Sequence, residues 1–205
     1  MKKYLMIVFV LSLASCKKEN SPTSPINNPN VIIYSGKTYH SIILGNQTWL
    51  KENLDVGDII LSNQDQTNNR KIEKYCYNDS SINCDKYGGL YQWDEAMQYD
   101  TTENIQGICP TGWHIPSKTQ LQTLMNFIND NEIVLSDTNK LFILFSGYRD
   151  SYGNFFFKDK ETHIWSSTKN MNLDVANSLN LYPNNYISSY NDFKKNGFNI
   201  RCIKD

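Results

Sequence analysis

The segment Ile108-Cys109-Pro110-Thr111-Gly112-Trp113-His114 sets a thiol and an imidazole five positions apart. At that distance a histidine could take the proton of a cysteine nucleophile, provided the thiol is free to ionise. Other reactive groupings are sparse. His40, His114 and His163 are the only histidines, and none stands in an HExxH or a two-cysteine, two-histidine zinc spacing. No glycine-rich phosphate loop is present. Asp94 and Glu95 are neighbours on a short helical stretch, where adjacent side chains diverge, so they read as acids favoured at a helix start rather than as an acid/base pair. Arg149 and Arg201 could hold anions, but structural hydrogen bonds are the expected role. No cofactor or metal follows from these residues.

Whether Cys109 is free depends on the compartment. Lys2 and Lys3 precede an apolar run from Tyr4 to Leu13. A membrane span needs about 20 residues, so this run fits the core of an export signal instead. Leu13-Ala14-Ser15-Cys16 then resembles the bacterial lipobox, in which a small residue precedes the cysteine that receives the lipid. Residues 1–15 are read as a lipoprotein signal peptide, with Cys16 as the lipidation site. Residues 16–30 contain three of the chain's six prolines and only Ile26 as a large apolar residue. Such a segment cannot bury enough surface to fold; it reads as a disordered tether reaching about 40 Å. Lys17-Lys18-Glu19 is similar to the sorting signal that sends Bacteroidetes lipoproteins to the outer face of the outer membrane, with one acid where that signal has several. The expected location is the outer membrane, exposed at the cell surface.

In an exported chain the four remaining cysteines, Cys76, Cys84, Cys109 and Cys202, are expected to pair. Three pairings are possible. Cys76 and Cys84 are close enough to pin one loop, which leaves Cys109 with Cys202. That second bridge would tie the start of a helix to the end of the chain. On this reading Cys109 is a bolt, with Trp113 packed beside it and His114 at the core or its rim.

The elements around these residues are short. Ser35-Gly36 and Gly45-Asn46 are turn signals between strand-like runs from Val31 to Leu50. Residues 62–86 are polar and read as a long surface loop. Asp94 to Met97 starts a short helix. Ser117 and Gln120 form a capping box, followed by Leu121, Leu124, Met125 and Ile128 on one helical face. Leu141 to Phe145 reads as a compact buried run, residues 146–155 as a hairpin, and His163 to Thr168 as a strand. Val175, Leu179 and Leu181 share a period-two face. Phe198, Ile200 and Cys202 alternate with Asn199, Arg201 and Ile203. The mixture is α+β, with two helices, short antiparallel strands, long loops and two disulfides.

Removing residues 1–15 leaves 18 basic against 21 acidic side chains. No basic stripe exists, so nucleic acid is not an expected partner. Thirteen tyrosines and abundant asparagine suit sugar binding, since rings stack on pyranoses and amides bond hydroxyls. The segment 170–195 concentrates them in Tyr182, Asn184, Asn185, Tyr186 and Tyr190, stiffened by Pro183. With the polar stretch 62–86, it is the expected recognition surface.

Six motifs then carry a family resemblance. They are Ile43 to Leu54 (ILGNQTWLKENL), Tyr87 to Trp93 (YGGLYQW), Cys109 to Ser117 (CPTGWHIPS), Ser146 to Arg149 (SGYR), Trp165 to Thr168 (WSST) and Gly197 to Cys202 (GFNIRC). In order and spacing they resemble the Fibrobacter succinogenes major paralogous domain, over residues 31–205. Members of that family are exported, often as lipoproteins of Bacteroidetes and Fibrobacteres, and their molecular function is not established. The resemblance implies a C-type-lectin-like fold shared with formylglycine-generating enzymes. The chain departs from it at Leu121, where the family has Trp. It also lacks the Glu-Pro-Asn and Trp-Asn-Asp calcium signature: Pro183-Asn184-Asn185 has no acid, and Ser166 follows Trp165. Sugar binding through calcium is therefore not expected. The resulting expectation is a surface-anchored, non-catalytic recognition or adhesion lipoprotein. Its membrane contact would be the lipid anchor, and its partner a glycan or a surface protein. The alternatives are an enzyme on a formylglycine-generating-like fold, which would need free thiols, and a structural subunit of a surface assembly, which would show a large exposed apolar patch.

Overall fold

A computed structural model of the chain describes residues 30–135, 137, 141–172 and 174–205. The expected signal peptide, Cys16 and residues 17–29 of the expected tether lie outside the described residues. In chain order the strands are β1 (Val31–Tyr34), β2 (Lys37–Leu44), β3 (Gln47–Leu50), β4 (Asp58–Ile59), β5 (Glu73–Lys74), β6 (Trp113–His114), β7 (Tyr148–Arg149), β8 (Phe155–Phe156), β9 (Thr162–Lys169), β10 (Val175–Leu181), β11 (Ile187–Phe193) and β12 (Ile203–Lys204). The α-helices are α1 (Ser81–Tyr87), α2 (Trp93–Ala96) and α3 (Lys118–Asp130). The class is mixed helix and sheet, mostly strand. Among the described residues no helix is long and apolar enough to cross a membrane.

The two early turn signals fold the first strands back on each other. Gly36 and Gly45 sit at φ 75° and 63°, a region glycine enters without steric cost. β1, β2 and β3 become consecutive neighbours, and β12 docks on the free edge of β3, giving a five-stranded sheet of order β1-β2-β3-β12-β6. The first and last strands of the domain therefore lie in one sheet. A second sheet has order β11-β10-β9.

α3 joins the two sheets. Its capping box is complete: Ser117 Oγ accepts from Gln120 N, and Ser117 N donates back to Gln120 Oε1 at 2.8 Å. Leu121, Leu124 and Ile128 are buried, in one cluster with Trp49 of β3, Ile164 of β9 and Leu179 and Leu181 of β10. A second cluster surrounds the Cys109–Cys202 disulfide and includes Trp93, Trp113, Trp165 and Phe198. The other disulfide joins Cys76 to Cys84.

Several expectations are corrected. Three α-helices are present, not two, because α1 lies inside the stretch read as a surface loop. Residues 62–86 also supply β5, which pairs in parallel with β4, and a 3-10 turn at Tyr77–Asp79. Gln66, Lys74, Tyr75, Cys76 and Cys84 are buried there. Polar composition misleads because the polar groups are satisfied from within. Gln66 Nε2 donates to Glu73 O at 2.9 Å, its Oε1 accepts from Gln92 N, and Lys74 pairs with Asp55. In the run from Leu141 to Phe145 only Leu141 and Ile143 are buried, and it forms no strand. The alternation at the chain end does not separate a wet face from a dry one: residues 198–203 are all buried. Phe198 bridges Tyr91, Asn199 bridges Ile164, and the carbonyls of Ile200 and Cys202 accept from Leu54 N and Leu50 N.

Candidate functional site

The Cys109–His114 grouping cannot act as a nucleophile and base. The Cys109 sulfur is bonded to Cys202 and fully buried. The His114 ring is held by Asp205 at Nδ1 (2.7 Å) and by the Gln120 side chain at Nε2. The charged candidates are also structural. Arg149 donates to the carbonyls of Ser62, Asp150 and Lys195, and lies 4.2 Å from the Tyr75 ring centre. Arg201 donates to Asn53 Oδ1 and to Leu141 O, and burial pushes its pKa down to about 10. It lines a cleft of 490 Å³ with Asn53, Asp55 and Tyr87, whose polar side chains bond to protein groups already in place. Asp94 and Glu95 diverge: Asp94 faces Lys194 at 3.7 Å, while Glu95 is fully buried. Among the described residues no three His, Cys, Asp or Glu side chains gather to hold a metal.

The residues that combine rings with unused hydrogen-bonding capacity lie on one face of the β9-β10-β11 sheet, which is buried at β9 and β10, where Phe198 packs on His163 and Trp165, and exposed at β11. Cross-strand partners share a face, and successive residues alternate between faces. Asn180 pairs with His163 on one side and Ser188 on the other; Ser178 pairs with Trp165 and Tyr190. These six residues share one face. The other face carries Ile164, Leu179, Leu181 and Ile187 toward α3. Just beyond the paired strands, Tyr182 N donates to Tyr186 O at 3.0 Å, which continues the hairpin by one step. The ring centres of Tyr182 and Tyr186 are 5.4 Å apart. Tyr186 is 54 % exposed and Tyr190 46 %.

The five residues singled out from sequence thus divide. Tyr182, Tyr186 and Tyr190 share a face. Asn184 and Asn185 build the turn: Asn184 Oδ1 accepts from Tyr186 N, and Asn185, at φ 61°, accepts from Leu135 N at 3.2 Å. Segment 62–86, the other expected surface, is anchored by the buried residues Gln66, Lys74, Tyr75, Cys76 and Cys84, while most of its other residues are exposed.

The polar residues between the rings had not been singled out. Ser178 and Asn180 are buried, and Ser178 Oγ lies within hydrogen-bonding reach of Asn180 Oδ1 (3.0 Å) and the Asp192 carboxylate. His163 Nε2 faces Glu161 Oε1 at 3.1 Å. Tyr148 of β7 lies over the His163 ring, 4.6 Å between centres. Burial raises the Tyr148 and Tyr182 pKa values, and the Glu161 charge adds to both. The signal for this polar row was present in Ser178, Asn180 and Tyr182, which repeat at period two.

The architecture defines an α+β domain held by two disulfides, with its rings displayed on a sheet hairpin. A family model described as the Fibrobacter succinogenes major domain matches residues 42–204, and the chain belongs to that family. No curated protein matches the chain, and no solved structure does.

Proposed function

We propose that this chain is a surface-anchored, non-catalytic recognition lipoprotein. The observation that carries the reading is the tyrosine face of the β10–β11 hairpin, where the exposed ring of Tyr190 stands on a paired strand and that of Tyr186 stands at the strand's start. Rigid aromatic side chains give large contact area at low ordering cost. The leader and the Cys16 lipobox support anchoring to the outer membrane, with the tether carrying the domain outward. We also place the fold among C-type-lectin-like domains. That assignment is supported by the first and last strands lying in one sheet, a separate three-stranded sheet and the long-range disulfide. The alternative of an enzyme on a formylglycine-generating-like fold needs free thiols at Cys109 and Cys202, and those sulfurs are bonded to each other.

Two measurements test this. Cells expressing Cys16→Ser, fed a clickable fatty acid, should yield unlabelled protein; label on the variant would remove the anchor. Capture of cell-surface extract by the purified chain should persist in EDTA and fall about tenfold in Tyr182→Ala and Tyr186→Ala, as expected for ring contacts central to a binding face. Unchanged capture by both folded variants would remove the hairpin from the reading.

A further inference from the structure

We infer that the tyrosine face takes a neutral carbohydrate, with the row His163–Asn180–Ser188 supplying partners to its hydroxyls. This rests on the recognition reading above and names the ligand class of that same face. Among the described residues two buried side-chain polar atoms, His163 Nδ1 and Ser188 Oγ, make no hydrogen bond of ordinary geometry, and the group that comes nearest to bonding Ser188 is the Tyr182 hydroxyl. Both atoms belong to the residues that flank Asn180 across the sheet. Buried polar groups in folded proteins are almost always paired, and each exception calls for a physical account such as a ligand or water. Two exceptions in one row, on the face that carries the exposed rings, mark a place where polar partners are expected from outside.

The chemistry of the row selects the ligand. With Nε2 donating to Glu161, His163 presents Nδ1 as an acceptor, whereas Ser188 can donate or accept and Asn180 carries both functions. A row that mixes donors with acceptors suits hydroxyl groups. A carboxylate or phosphate, which only accepts, would meet His163 Nδ1 lone pair to lone pair. Charge points the same way. Glu161 and Asp192 share the face, and the one cation in the paired rows, Lys169, stands opposite Ala176 in the Asp192 row, four residues along β10 from Asn180. Acidic sugars are therefore disfavoured. The rings of Tyr182, Tyr186 and Tyr190 offer apolar surfaces to the C–H faces of a pyranose. The Tyr182 hydroxyl lies beside Asn180 and Ser188, so a sugar hydroxyl reaches the row by displacing that ring.

The experiment uses the isotope-labelled full chain in micelles of a detergent without a sugar headgroup. It is titrated with neutral oligosaccharides of glucose, mannose, galactose and N-acetylglucosamine, and separately with oligogalacturonate. At least one neutral oligosaccharide should saturate, moving the amide signals of His163, Asn180 and Ser188 most, with and without EDTA. Oligogalacturonate should bind at least about tenfold more weakly. Ser188→Ala, which removes one hydroxyl and no packing atom of size, should weaken binding about five- to tenfold with the spectrum of the free protein retained. The inference is overturned if no neutral sugar moves any amide at about 10 mM, if the acidic sugar binds more tightly, if the shifts fall elsewhere, or if Ser188→Ala binds unchanged. Failure here with tyrosine-dependent capture of surface extract intact removes the sugar and leaves recognition standing; loss of both removes both.

Discussion

Glu95 shows how one side chain can be read correctly from sequence and still be missed. Its place in the first turn of α2 was legible, because acids favour helix starts. Its complete burial was not, because the groups that satisfy it arrive from elsewhere: Glu73 N at 2.9 Å and the Tyr99 hydroxyl at 2.7 Å. Burial raises its pKa above the ordinary 4.5, partly offset by those bonds. A carboxyl with a raised folded pKa binds its proton more tightly in the folded state than in the unfolded one. Its favourable contribution is therefore fully present below about pH 4.5 and is lost as pH rises through the folded value. Glu95→Gln stays neutral throughout. The urea midpoint of the variant minus that of the wild type should thus rise from about pH 4 to about pH 7. A difference that stays constant with pH would show that the burial of charge has no such effect. The same distinction between position and partners applies to Asn184 and Asn185, read as sugar-bonding amides: the Asn184 oxygen holds the turn and the Asn185 oxygen accepts from Leu135 N.

Among the elements, α3 was the most legible because everything that starts it is local. Ser117 and Gln120 are three residues apart, and the buried stripe repeats at helical spacing. Ser117→Ala should destabilise the domain by about 1 kcal/mol, read from denaturant midpoints, while Gln122→Ala on the exposed face should change little. Equal effects from the two would dismiss the cap. β1 to β3 were legible for a similar reason, since their turns stand between them in sequence. The polar row on the second sheet was not. It requires His163, Asn180 and Ser188 to fall in register, and register comes from the pairing of three strands rather than from any one of them. Segment 62–86 and residues 198–203 share this difficulty. In each, the residues that are buried include polar ones, whose partners come from elements far away in the chain. Asn199 illustrates it: its amide donates to Gly89 O and its oxygen accepts from Thr162 Oγ1, so the side chain is polar and fully buried at once.

At the level of the whole molecule, the Cys109–Cys202 bridge closes 93 positions of chain. Loops of that order restrict the unfolded state strongly, by about 4–5 kcal/mol in chain-entropy terms, whereas the short Cys76–Cys84 loop restricts it less. Replacing both Cys109 and Cys202 by alanine should cost about 2–5 kcal/mol in equilibrium unfolding, more than the same change at Cys76 and Cys84. An equal or smaller loss would mean that the packing around Trp113 and Trp165 holds the junction without it. The pairing itself was legible from the even count and the short spacing of Cys76 and Cys84. What it encloses was not: α3, β7 to β11, and hence every residue of the tyrosine face lie inside the loop. That placement has a mechanical consequence. Pull on residue 30 while something holds Tyr190, and tension runs along the chain only as far as Cys109. There it divides, one branch following the backbone through α3 and the other crossing the sulfurs to Cys202 and returning from the far side. Residues 31 to 108 can be drawn out like slack, apart from the few that the smaller bridge retains, but the gripping hairpin sits on a closed ring whose two arms share the load.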